Sequence, residues 1–301
     1  MVCVDTPRYV VFAAWLRKVR DHCQIIAWTM DLPLEQLARR HEGSGTGGVA
    51  QLFNQLQYLA LRLCNKVVVL GDCMCSLLQK QGLRNVEVLG PWADDPKRIG
   101  ECTSTEARLE EGLPEKFTVG YYGYAGEWHD FDPILEAIPE LTVRSNVQFL
   151  FAGLGPGIDR VIVAQKQNSW KNVIIKGWVP RGELGLLPLC SDLHLVSLKK
   201  SMLGTCVPSK TYGAMAYGRP VIFIGPKECQ AGKDLVDAQA GEVVETGLDL
   251  VKAISRFFNN PDYLGKCSRN AQKVFLEEHS AEALFKKWDE FFQNLGTKPS
   301  G

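Results

Sequence analysis

Short runs of consecutive apolar residues alternate along this chain with longer stretches whose apolar positions recur every three to four residues. The runs predict buried strands at 1–4, 24–28, 66–70, 86–89, 118–122, 147–152, 173–176, 193–198 and 221–224. The periodic stretches predict helices at 9–19, 49–63, 73–81, 131–138, 158–167, 181–189, 209–217, 233–238, 248–259, 262–277 and 281–292. Helix 9–19 places Val11, Trp15 and Val19 on one face, and the last helix lines up aromatic residues. Strand–helix alternation of this kind predicts an α/β fold around parallel sheets, here two Rossmann-like units. The polar stretch 92–115, with Pro96 and Pro114, interrupts the alternation. It predicts a first unit over 1–98, a linker at 99–116 and a second unit over 117–279. The first unit offers only about four strands and lacks a glycine-rich first turn, so it reads as incomplete. Glycines 43–48 read as a flexible loop before helix 49–63.

A length of 301 residues accommodates two domains, and 46% hydrophobic with 23% charged residues is the make-up of a soluble globular protein. Lys plus Arg and Asp plus Glu each number 34, which argues against nucleic acid held by bulk charge. The ten cysteines are scattered, and only Cys73 and Cys75 lie close together, too weak a pattern for a metal site. Free thiols in a reducing cytosol are expected. No secretory signal opens the chain and no apolar run nears the ~20 residues of a membrane span. The cluster Arg17-Lys18-Arg20 reads as a solvated helix face, with membrane contact as the alternative.

The candidate chemistry lies at glycine-rich turns that follow strands of the second unit. In Val207-Pro208-Ser209-Lys210, Pro208 ends one segment and Ser209 suits the N-cap of the next helix. Gly218 suits the left-handed residue that closes that helix, and Pro220 bars its continuation. A helix start presenting Lys210 suits a diphosphate, although an ordinary connection with an exposed lysine has the same pattern. Three further turns hold Gly123 and Gly126, then Gly153 and Gly155, then Gly177 and Val179. Such turns allow backbone to approach a ligand closely, and four in one unit predict a phosphate or nucleotide site. His129 reads either as a ligand contact or as a helix cap, Asp31 as a cleft residue or a cap, and His194 as a core histidine. No spacing of Cys, Ser and His suggests a nucleophilic triad.

Taken in order, Asp31-Leu32-Pro33 with Glu35, the turn 90–94, Gly126 with His129-Asp130-Phe131, the run 192–198 and the run 207–220 resemble one family. It is the GT-B nucleotide-sugar glycosyltransferases of the retaining family four, most closely those of bacterial capsule and exopolysaccharide synthesis. The likeness extends over nearly the whole chain, to about Phe292. It implies that the second unit holds a uridine or guanosine diphosphate sugar, and that a helix over 280–301 crosses back to the first. Ser209 and Lys210 would meet the diphosphate, Gly123 and Gly126 would line it, and His129 would sit at its edge. The backbone at Gly177 and Val179 would read the base, and Glu228 would lie near the sugar or ribose. Asp31 would face the reacting sugar, so that Asp31 and Lys210 are the catalytic candidates.

The resemblance further implies retaining transfer to a glycan or lipid-linked acceptor, with no metal, cofactor or nucleic acid. The expected location is cytoplasmic, with peripheral contact at the inner face of the membrane as the alternative. Three features depart from the pattern: Glu127 where the family often has a basic residue, Thr205 and Gly213 in place of a glutamate pair, and the absent first strands with their acceptor loop. They keep two alternatives open, a nucleotide-sugar-binding remnant or partner subunit without turnover, and a nucleotide-sugar epimerase.

Overall fold

The computed structural model describes residues 1–4, 10–43, 45–96, 102–142, 146–180 and 185–296. In the first unit β1 (Val2–Val4), β2 (Ile26–Thr29), β3 (Lys66–Val69) and β4 (Val86–Val88) pair in that order, all parallel. The connecting helices are α1 (Val10–Asp21), α2 (Pro33–Arg40), α3 (Gly47–Arg62) and α4 (Asp72–Lys80). Val67 to Val69 and Ala27 are buried, as strands covered on both faces require. The glycines read as loop at 47 and 48 form the first turn of α3.

The second unit is entered through α5 (Ser104–Glu110) and holds β5 (Phe117–Tyr124), β6 (Val147–Leu154), β7 (Val173–Gly177), β8 (Leu193–Ser197), β9 (Val221–Ile224) and β10 (Gly241–Val244). They form one parallel sheet ordered β10-β9-β8-β5-β6-β7. Its helices are α6 (Asp132–Thr142), α7 (Pro156–Asn168), α8 (Lys210–Ala216), α9 (Gln230–Asp237), α10 (Gly247–Asn259) and α11 (Pro261–Val274). A final helix, α12 (Ala281–Gly296), lays Leu284 and Trp288 on Ile26 and Val68 of the first sheet, with Trp288 edge-on to Trp28 at 5.2 Å. The chain order jumps from one side of β5 to the other, which opens a crevice at the carboxyl ends of the central strands.

Three elements fall outside the predicted ones. α2 buries Glu35, Gln36 and Ala38, so its inward face is mostly polar. α5 is held by a Thr103–Glu106 capping box and by buried Arg108, which pairs with Glu115 and Asp192. β10 buries only Val244 fully. Of the predicted helix 181–189, residues 181–184 lie outside the described residues, and Leu187–Cys190 form a single tight 3₁₀ turn. Among the described residues no helix is long and apolar enough to cross a membrane.

The units are joined by direct contacts. Leu32 N–H donates to Thr205 O at 2.8 Å, where Asp31 forms an antiparallel bridge with Cys206. One core cluster runs from Ile25 and Val67 of the first unit to Tyr212, Phe223 and Phe275 of the second.

Candidate functional site

Lys210, at the start of α8, reaches toward the end of β5. Its ammonium donates to Tyr124 O at 2.8 Å and to His129 Nε2 at 3.0 Å, and stands 5.5 Å above the Tyr121 ring. His129 Nδ1 lies 2.6 Å from Ser197 O, a carbonyl that can only accept. Nδ1 therefore carries the proton, and Nε2 presents a lone pair to Lys210. Burial, then the Lys210 charge, hold the His129 imidazole down to about 4, so the ring is neutral at pH 7. Burial likewise lowers the Lys210 ammonium to about 8. A cation next to a neutral ring, desolvated and without a carboxylate among these contacts, is poised for an anion.

The glycine turns divide into two kinds. Gly123, at φ +98°, faces Lys210, and a Cβ there would lie 3.3 Å from Lys210 Cε. Gly126 lines the adjoining recess with Trp128 and His129. Gly153 and Gly155 instead let the ends of β5 and β6 touch: a Cβ at Gly153 would meet Gly123 O at 2.0 Å, and one at Gly155 would meet Ala125 O at 2.8 Å. Packing of the turn accounts for both of these glycines. Ser209 is exposed and its side chain makes no cap bond, so α8 begins without the expected cap. With seven residues, α8 adds little dipole, and the charge rests on Lys210.

Two recesses flank the Lys210–His129 pair. One, of about 320 Å³, lies between the units and is lined by Arg39, Arg40 and the turn from Gly126 to His129. The other, of about 210 Å³, is lined by Lys210 and Gly213 of α8 and its C-cap Tyr217, with Tyr122, His194 and Ala93. His194 is the core residue expected, buried with Nε2 at 2.9 Å from Pro188 O. Asp31 lies where the units meet; its residue surface remains exposed, yet the surrounding protein desolvates the carboxyl and pushes it up. Glu228 is exposed in the turn before α9, Gly177 (φ +69°) ends β7, and half-buried Val179 follows it. None of these three touches Lys210 or His129 in the contacts described.

A clasp beside the site is built on Glu35, which the resemblance included without giving it a role. Glu35, only 8% exposed, accepts from Tyr58, Asn54 and Arg39. Burial pushes its carboxyl up, but the bonds from Tyr58, Asn54 and Arg39 outweigh this and hold it low. Arg39 then donates across the boundary to Ser201 O at 2.7 Å and Leu203 O at 2.9 Å. The i, i+4 spacing of Glu35 and Arg39 was the available signal. Glu127 turns to Arg40 at 2.7 Å, a half-exposed pair worth at most about 1 kcal/mol. Arg17 and Arg20 pair with Asp21, while Lys18 donates to Leu63 O, the C-cap of α3.

Lys210 sets a pH dependence. In its charged form Lys210 suits an anion, so if the site holds a nucleoside diphosphate its affinity should be level below about pH 8, where the ammonium is intact, and fall by up to about tenfold per unit above it. Calorimetry between pH 7 and 10 checks this, and Lys210→Arg, which stays charged, should flatten the profile.

Among the described residues no three His, Cys, Asp or Glu side chains are gathered as a metal site. Residues 104–274 match the family model described as Glycosyl transferases group 1. A probable glycosyltransferase of Pseudomonas aeruginosa, WbjE, is 25% identical over 182 residues, 59% of this chain and 45% of that protein. The structure of HepE from Anabaena in complex with UDP and glucose superposes with a TM-score of 0.73 at 13% identity, covering 97% of this chain and 77% of HepE. An S. aureus TarM mutant in complex with fondaparinux, alpha-GlcNAc-glycerol and UDP gives 0.71 at 17% identity, covering 97% and 55%. The chain thus spans about half the length of WbjE and TarM.

Proposed function

The chain belongs to the group 1 glycosyl transferases, and from that footing we propose that it moves a hexose-type sugar from a nucleoside diphosphate to a glycan or lipid-linked acceptor, with retention and without metal. The observation that carries the reading is the desolvated Lys210–His129 pair facing the glycine turn at the carboxyl end of β5. In this reading two of the three Lys210 N–H groups are held by Tyr124 and His129, and the third is aimed at a phosphate oxygen. As the bond from sugar to phosphate breaks, negative charge grows on the departing diphosphate, and Lys210 stabilises it without having to reorganise. The acceptor hydroxyl attacks from the face the diphosphate leaves, which preserves the anomeric configuration, and Asp31 faces the reacting sugar from the first unit. UDP in the HepE and TarM complexes supports a uridine donor over guanosine.

Peripheral contact with the inner face of the membrane fits Leu16 (65% exposed) and Val19 (59%) beside Arg17 and Arg20 on α1. Incubation with UDP-sugars and a panel of glycan and lipid-linked acceptors, with chelator present, tests the assignment. Nuclear magnetic resonance of the product should show the donor's anomeric configuration kept. An inverted product, a need for metal, or conversion of donor without acceptor would each overturn it, the last in favour of an epimerase. Tight donor binding with no product from any acceptor would favour a binding subunit.

A further inference from the structure

The pair Cys73 and Cys229 meets across the boundary between the units. Cys73 lies in the first turn of α4, and Cys229 immediately precedes α9. The start of α4 packs on the Gln230 side chain: a Cβ at Gly71 would come 2.5 Å from Gln230 Cβ, and Asp72 N–H donates to Gln230 Oε1 at 2.8 Å. On the other side of Cys73, its carbonyl is 2.8 Å from where a Cβ on Gly204 would stand. Within this tight junction Cys229 is fully buried in the core cluster against which Cys73 packs, and its thiol lies close enough to act on the Cys73 sulfur. Cys73 is only half-buried, and the backbone N–H groups of Gln230 and Met74 favour its thiolate.

We propose that Cys73 and Cys229 form a reversible disulfide on exposure to a hydroperoxide, a covalent clasp between α4 of the first unit and α9 of the second. The two thiols have complementary roles. The hydrogen bond from Cys229, against the opposing effect of burial, brings Cys73 down to about 7, so the partly exposed sulfur is the nucleophile. The same bond pushes Cys229 up, which keeps it a thiol behind the point of attack. Burial pushes Cys190 and Cys206 up to about 12, so neither competes for the oxidant. The Cys73 thiolate attacks one peroxide oxygen, the O–O bond breaks, and sulfenic acid forms with release of water or alcohol. The Cys229 sulfur then displaces the sulfenic hydroxyl, giving up its proton, and a second water leaves. Two thiols lose two electrons to one peroxide, and the balance closes. The link fixes covalently the spacing of the two units beside the cleft, which the reduced pair leaves to hydrogen bonds and the shared core cluster.

Brief treatment of the native protein with hydrogen peroxide, alkylation of remaining thiols and peptide mass mapping tests the clasp without reference to glycosyl transfer. A peptide pair joined through Cys73 and Cys229, released by dithiothreitol, is the expected product. Cys229→Ser should strand Cys73 as a sulfenic acid that dimedone captures, while Cys73→Ser should leave Cys229 unmodified at the same dose. Circular dichroism confirms that each variant is folded, and the wild-type mapping decides alone where one is not. A link from Cys73 to Cys206, irreversible oxidation of Cys73 in the wild type, or an unmodified Cys73 under conditions that oxidise other thiols would overturn the proposal.

Discussion

Lys210→Ala is expected to lower kcat/KM for a UDP-sugar by about a hundredfold to a thousandfold, the loss usual when one preorganised charge facing a leaving group is removed. The ammonium stands against Tyr124 O and His129 Nε2 and is desolvated before any ligand arrives. Binding of the diphosphate should weaken by about tenfold or more, because a charge-assisted contact is worth roughly 1.5–3 kcal/mol. The turnover loss should exceed the binding loss, since charge on the diphosphate rises as the sugar departs. Steady-state kinetics beside titration of the unreactive diphosphate measures both. Equal losses would make Lys210 a binding residue only, and an unchanged kcat/KM would remove it from the site.

Glu35→Ala is expected to destabilise the protein by about 3–5 kcal/mol, lowering the unfolding midpoint by something of the order of 10 °C. The substitution leaves Tyr58 and Asn54, both buried, and the partly buried Arg39 without their shared acceptor. Arg39 is the residue that grips Ser201 O and Leu203 O of the other unit, so the boundary should loosen as well as the first unit. Glu35→Gln keeps one acceptor and should have a smaller effect. Calorimetric unfolding checks both variants; an unchanged midpoint for Glu35→Ala would show that the network contributes nothing net.

The clasp also marks where the sequence ceased to be informative. Runs such as 221–224 are apolar because both faces of a parallel strand are covered, and there the pattern and the fold agree. Around α8, Gly218 at φ +62° and Pro220 end the helix for the reasons their chemistry gives. α2 escaped because its inward positions are Glu35 and Gln36, whose burial is justified only by partners elsewhere in the chain. α5 escaped because its anchor is Arg108, a buried cation that composition assigns to the surface. The glycine turns were visible, but their division was not. Whether a glycine faces the Lys210 side chain, as at Gly123, or another strand's backbone, as at Gly153, depends on register between β5 and β6. The same holds for His129: its Lys210 contact spans 81 positions, and only the sheet order brings β5 beside β8 and the start of α8.

The claim that the crevice is a nucleoside diphosphate site meets its most direct test in calorimetric titration of the wild-type protein with UDP and with uridine, chelator present throughout. The account predicts that UDP binds at least about tenfold tighter than uridine, the difference supplied by the charge-assisted contact from Lys210. Equal affinities for the two ligands, or binding of neither, would contradict it.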